Sequence, residues 1–282
     1  EINGESNYGM RVPNVFDYGN MGSAGTRVST LGTATYSWTG KEQNYFKETI
    51  IDGSGGVISV NGTENVGISL SKKITGSTQV AAVNGLAASD STDLIGNIRN
   101  LNILVNGSKG VGILRNANYV ATEDATGLPF GDIILKNINV QSLGFGANAE
   151  SSSLIRSDRS KIILDRDLTL STVLSLGKQD NVVMLANNSS AANAGNPLYT
   201  AKVENRAKIE IGSGMFGTTG ILSVNGGEAI NGAAGTIIVD SEKSQGIAVL
   251  ANSTGINNGI VTVNGEGSVG VANMGIFTMT SG

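Results

Sequence analysis

The apolar positions of this chain fall in short alternating pairs, and one phrase built around those pairs recurs with fixed internal spacing. The pairs Ile58/Val60, Ile103/Val105, Ile237/Val239 and Val261/Val263 are each two residues apart. From each pair the chain runs through a bend to a second apolar position, as in Val60-Asn61-Gly62 to Val66-Gly67-Ile68 and Val105-Asn106-Gly107 to Val111-Gly112-Ile113. The same run returns from Val239 to Gly246-Ile247, and from Val263-Asn264-Gly265 to Val269-Gly270-Val271. Alternation of β-branched residues predicts a strand with one buried face. Asn-Gly predicts a tight bend, because both residues tolerate positive φ. Gly67, Gly112, Gly246 and Gly270 are expected where backbones approach closely. Pairs at Ile133/Leu135, Ile162/Leu164, Ile209/Ile211 and Phe277/Met279 extend the pattern.

A phrase that recurs at constant spacing is a unit that stacks on itself. A turn of about 20 to 25 residues with two or three strands predicts an all-β fold, a parallel β-helix or β-solenoid. Ile and Val would form internal columns, and Asn at the bends would form amide ladders between coils. The intervals Val60 to Val105 and Leu164 to Ile211 are long enough for two turns each, which predicts about ten to twelve coils. An antiparallel sandwich or barrel is the alternative for a chain rich in short strands. Residues 1–48 lack the phrase and read as an irregular, loop-rich, aromatic-rich segment packed on the rod. Residues 49–282 read as the β-helix, with loop insertions near 116–130 and 187–200.

Composition narrows the function. The chain of 282 residues has 40 Gly, three Pro, no Cys and no His, with a formal net charge of −4. Without Cys there are no disulfides and no thiolate chemistry. Without His the commonest general base and metal ligand are missing, and a Ser-His-Asp triad cannot be assembled from this chain. There is no basic run, so a nucleic-acid partner is not expected. No apolar stretch has the length of a membrane-spanning helix. No signal peptide opens the chain at Glu1, and the sequence stops within a repeat at Gly282. It is therefore expected to be part of a longer protein.

The strand, Asn-Gly bend and Val-Gly-Ile phrases at 58–68, 103–113, 237–247 and 261–271 resemble the passenger domains of monomeric, type Va autotransporters. They are most similar to the very large adhesin passengers of Gram-negative anaerobes. The segments Asn7-Tyr8-Gly9-Met10-Arg11-Val12-Pro13 and Glu48-Thr49-Ile50-Ile51-Asp52-Gly53 have the same character. The resemblance implies a right-handed β-helix, a monomer, and display on the cell surface. Membrane attachment would run only through a C-terminal barrel that this sequence does not include. It also implies adhesion to a receptor or glycan on host cells or other bacteria. A protease branch of the family carries Gly-Asp-Ser-Gly; here Gly53-Ser54-Gly55 lacks the Asp and there is no His.

Candidate chemistry is sparse. Asp165 and Asp167 alternate as if on one strand face beside Arg166 and Lys161, a pattern that serves acid–base work or calcium binding in pectin-cleaving β-helices. It equally fits a solvated face of local ion pairs, as do Asp158 with Arg156 and Arg159, and Glu123-Asp124. No P-loop and no calcium-binding nonapeptide is present. No catalytic residue, cofactor or metal is expected. The aromatic residues are more suggestive, because seven of them lie within the first 46 positions: Tyr8, Phe16, Tyr18, Tyr36, Trp38, Tyr45 and Phe46. Tyr119 and Tyr199 fall in the other non-repeating stretches. Loops on a rigid scaffold carry binding, and exposed Tyr and Trp suit glycan or protein contact. Tyr36, Trp38, Tyr45, Tyr119 and Tyr199 are therefore the candidate ligand-binding residues, though the same rings would also serve to pin loops onto the rod. The expected function is a non-catalytic adhesin rod at the cell surface. A polysaccharide-acting enzyme on the same fold, the head of a trimeric autotransporter and an ice- or mineral-binding solenoid are the alternatives.

Overall fold

The computed structural model describes residues 1–12, 15–17, 25–28, 35–38, 48–70, 73–75, 94–115, 133–139, 143–158, 161–164, 169–172, 180–188 and 200–280. Among them every regular element is a strand, and three parallel sheets wind around one core. Sheet I has eight strands: Tyr8–Val12, Val66–Leu70, Val111–Arg115, Ser153–Ser157, Val182–Asn187, Thr219–Val224, Gln245–Val249 and Val269–Asn273. Sheet II runs from Glu48–Val60 and Leu94–Val105 through Ile133–Asn139, Lys161–Leu164, Lys202–Asn205, Glu228–Asn231 and Thr254–Asn257 to Ile276–Met279. Sheet III stacks Thr169–Thr172, Lys208–Ile211, Thr236–Val239 and Ile260–Val263. The chain visits sheets I, II and III in turn and then starts the next coil, so this is a parallel β-solenoid.

The alternating pairs form the core columns. Ile209, Ile237 and Val261 stack in register, as do Ile211, Val239 and Val263. In the earlier coils Val60 pairs with Val105, and Val105 with Phe145. From sheet I, Ile68, Ile113, Ile155, Met184, Ile221, Ile247 and Val271 make one continuous column. Nearly all of these side chains are fully buried, and the last coil is half-open. One buried column carries a charge. Arg115 is fully buried in the line that continues through Ser157, Ala186, Ser223 and Val249.

Two sequence expectations change. The interval from Val60 to Val105 is one coil, because these residues pair directly, and Leu164 likewise pairs with Asn205. The longest run of stacked strands is therefore eight. The Asn-Gly bends also work differently from the expectation. Gly62 has positive φ (74°), as expected, but Asn61, Asn106, Gly107, Asn264 and Gly265 do not. The left-handed position lies further on, one residue before each sheet I strand's leading polar residue. It is filled by Ser6, Glu64, Lys109, Ser151, Asp180, Gly217, Lys243 and Gly267, with φ between 48° and 66°. Most of these are not glycine, and each carries a conformational cost of about 1 kcal/mol. Stacking offsets that cost: the Glu64 N–H donates to the Ser108 carbonyl, Lys109 to Glu150, Asp180 to Gly217, and Lys243 to Glu266.

At five of the coils the residue after the left-handed position links to the preceding coil with its side chain. The Asn7 N–H donates to Asn65 Oδ1 (2.7 Å), Gly110 to Ser152 Oγ (2.9 Å), and Ser152 to Asn181 Oδ1 (3.1 Å). Thr218 donates to Ser244 Oγ (3.0 Å) and Ser244 to Ser268 Oγ (2.9 Å). A second, buried ladder closes the corner between sheets II and III. There Asn205 Nδ2 donates to Asn231 Oδ1 and Asn231 Nδ2 to Asn257 Oδ1, both at 2.9 Å. A third, more exposed ladder joins Asn3, Asn61 and Asn106.

Candidate functional site

The two corners flanking sheet I differ in kind. The corner from sheet III into sheet I is tight and is set by the left-handed column. The corner from sheet I into sheet II carries the length variation. Four connections there are long: Val12 to Glu48, Leu70 to Leu94, Arg115 to Ile133, and Asn187 to Lys202. In the last coils the same corner is closed by a few residues, between Val224 and Glu228, Val249 and Thr254, and Asn273 and Ile276.

The five candidate aromatic residues all belong to these long connections. Tyr36 and Trp38 lie on Thr35–Trp38, a strand antiparallel to Gly25–Val28, with Tyr36 opposite Arg27 and Trp38 opposite Gly25. Tyr45, Tyr119 and Tyr199 lie outside the described residues. The connection from Leu70 to Leu94 contributes Lys73–Thr75, which pairs in parallel with Val15–Asp17 of the first connection. Two of the insertions therefore meet.

Several charged side chains on the rod pair with one another. Lys161 Nζ lies 2.6 Å from Glu204, which also accepts from Arg206; Lys202 reaches Glu228 at 3.4 Å, and Lys208 reaches Glu210 at 2.5 Å. Arg156 grips Asp158 with two hydrogen bonds of 2.5 and 3.1 Å. Burial raises the Glu204 carboxyl, but the hydrogen bonds from Arg206 and Lys161 outweigh it and hold the group below its ordinary value. At Asp158 burial wins over Arg156, and the carboxyl sits above its ordinary value. Asp165, Asp167 and Glu123-Asp124 lie outside the described residues. Among the described residues no three His, Cys, Asp or Glu side chains gather to hold a metal ion.

Glu204 gives a pH test. A depressed folded-state value means its stabilisation is present above the ordinary carboxylate range and disappears as pH falls through the lowered one. Glu204→Gln is expected to cost about 2 kcal/mol at neutral pH. The difference from the parent should shrink toward acid, as followed by denaturant titration at several pH values.

A cavity lined by described residues lies at the tight corner of the C-terminal coils. It has a volume of about 250 Å³ and is lined by Asp180, Phe216, Gly217, Thr219, Lys243 and Gln245. Asp180, Gly217 and Lys243 are successive members of the left-handed column, and Thr219 and Gln245 are in register on sheet I. The Lys243 ammonium sits 5.2 Å from the centre of the Phe216 ring, within cation–π range. No family model matches the chain, and no curated protein or solved structure is significantly similar to it.

Sequence reasoning passed over this cavity. Phe216 stands in an unremarkable Gly-Met-Phe-Gly run, and Asp180 and Lys243 are far apart in the chain. The available signal was positional: each lies just before the small polar residue that opens a sheet I strand.

Proposed function

We propose that this chain is a segment of a bacterial cell-surface adhesin of the monomeric autotransporter type. It would act as a non-catalytic β-helical rod that holds binding loops toward a receptor or glycan on host cells or other bacteria. The observation that carries this reading is the segregation of long connections to one corner. Four long connections, containing all five candidate aromatic residues, join sheet I to sheet II, while the described connections from sheet III to sheet I in the C-terminal coils are short. A scaffold that varies along a single edge and keeps its core columns fixed is built for presentation. Pairing of Glu204, Asp158, Glu228 and Glu210 with neighbouring cations supports a structural use of these carboxylates over acid–base work.

Beads carrying the 282-residue chain should adhere to bacterial or host cells. Shortening the connections after Arg115 and Asn187 to the length of the Val224–Glu228 connection should abolish adherence and leave the coils intact by hydrogen exchange. Inert beads, or turnover of an acidic polysaccharide by the chain, would remove this reading.

A further inference from the structure

We infer that the cavity between Asp180 and Lys243 is a binding site for a single hexose-sized polyol, the terminal sugar of a glycan. The inference rests on the surface-binding reading above and names a ligand class for a place that the loops do not occupy. Its origin is a missing side chain. In the N-terminal coils two adjacent members of the left-handed column do touch: Lys109 Nζ lies 3.3 Å from Glu64 of the preceding coil. Between Asp180 and Lys243 the intervening coil contributes Gly217, so the two residues stand two coils apart with no side chain between them at that position, and the Lys243 ammonium reaches back over Phe216 of the intervening coil. Successive coils are separated by the strand spacing, about 4.8 Å. The two residues therefore line the gap from either side, with Phe216 between them.

The lining selects the ligand. At about 250 Å³ the cavity lies just under the range of sites for drug-sized molecules, so one ring fits and a peptide does not. Asp180 offers two acceptor oxygens, Lys243 three donors, Gln245 both kinds, and Thr219 a hydroxyl that does either. One negative and one positive group leave no net charge to favour an ion. Vicinal hydroxyls, which donate and accept at once, satisfy this mixed set. Phe216 supplies the apolar surface for the C–H side of a ring. Two further features keep the site in place. The Asp180 N–H is fixed by the Gly217 carbonyl, and the Gly217 N–H by Glu242.

The test exploits the column. Non-glycine residues hold the same backbone conformation at Ser6, Glu64, Lys109, Ser151, Asp180 and Lys243. Gly217→Asn should therefore fold normally, since Asn accepts left-handed φ readily, and its side chain should fill the gap. Methyl glycosides of galactose, glucose, mannose and N-acetylglucosamine are titrated into the 282-residue chain and followed by amide NMR. At least one should shift Gly217, Thr219 and Gln245 saturably, with a dissociation constant of about 1–10 mM. Gly217→Asn should weaken it at least tenfold with an unchanged melting temperature, and Ser151→Asn should leave it unchanged. Absence of saturable shifts with all four sugars would overturn the inference. So would equal binding by Gly217→Asn, or shifts produced only by acetate or free glycine. Should Gly217→Asn melt early, Asp180→Ala serves in its place, with the same tenfold loss expected and equal binding again decisive. Adherent beads without sugar binding would sink this site and spare the adhesin reading; sugar binding on inert beads would do the reverse.

Discussion

Asn231→Ala is expected to destabilise the C-terminal coils by roughly 2–5 kcal/mol. Asn231 is fully buried at the corner between sheets II and III and is the middle rung of a three-residue amide ladder. It accepts from Asn205 Nδ2 and donates to Asn257 Oδ1, with longer contacts to the Gly235 and Ile260 carbonyls. Removing the amide leaves a donor of Asn205 and an acceptor of Asn257 in a site closed to water. Each orphaned buried group costs about 1–3 kcal/mol. The space cannot collapse easily, because Gly235 and Gly259 are already packed against the Asn231 amide. Asn264→Ala is the matched control. Its Nδ2 also reaches a neighbouring coil, the preceding one, at Asp240 Oδ1 (2.7 Å), but in an exposed position where water takes over the bond. A loss below about 1 kcal/mol is expected there. Urea titration of both variants, with hydrogen exchange to locate the change, separates a structural ladder from a decorative one. Equal losses in the two would show that burial of the rung is not what stabilises the corner.

The columns of the core were legible in the sequence, and the corners were not. Alternation at Ile209/Ile211, Ile237/Val239 and Val261/Val263 places every one of those residues inward, since side chains on a strand change face at each step. That signal needs no tertiary information. Coil count did, because a 45-residue interval holds either two coils or one coil with an insertion. Only the direct pairing of Val60 with Val105 decides between them. The bends mislead for a related reason. Asn and Gly at 61–62 and 106–107 suggest backbone conformation, and Gly62 does take positive φ, yet the Asn side chains serve as rungs and Gly107 is there for clearance. A β-carbon on Gly107 would lie 2.3 Å from the Gly62 carbonyl oxygen. Six of the eight left-handed residues are Glu, Lys, Ser or Asp and only two are Gly, so their identities do not announce the turn. For the candidate site, the loop aromatics were legible as a class. The cavity at Gly217 was not, because it arises from what three stacked coils place at one position.

Gly246→Val is expected to cost about 3 kcal/mol or more, the effect of overpacking where neither neighbour can give. Gly246 is the second residue of Gln245–Val249 and stacks between Gly220 and Gly270. A β-carbon there would lie 2.7 Å from the Gly270 carbonyl oxygen and 2.7 Å from Val261 Cγ1. The first is backbone held in the ladder; the second is a core side chain from sheet III. Moving either would break the register that joins the last two coils. Gly270→Val sets the scale, because it shares the column but would meet only Val263 and Val261 at 3.6 and 3.8 Å, ordinary contact distances. It should cost less than about 1 kcal/mol. In a stacked array each coil is stabilised by its neighbours, so the damage should be local. Amides from Gln245 onward should lose protection in Gly246→Val, and those of Ser153–Ser157 should keep it. Uniform loss of protection along all eight strands of sheet I would mean that the rod unfolds as one unit. In that case nearest-neighbour stacking is not the principle that holds it together.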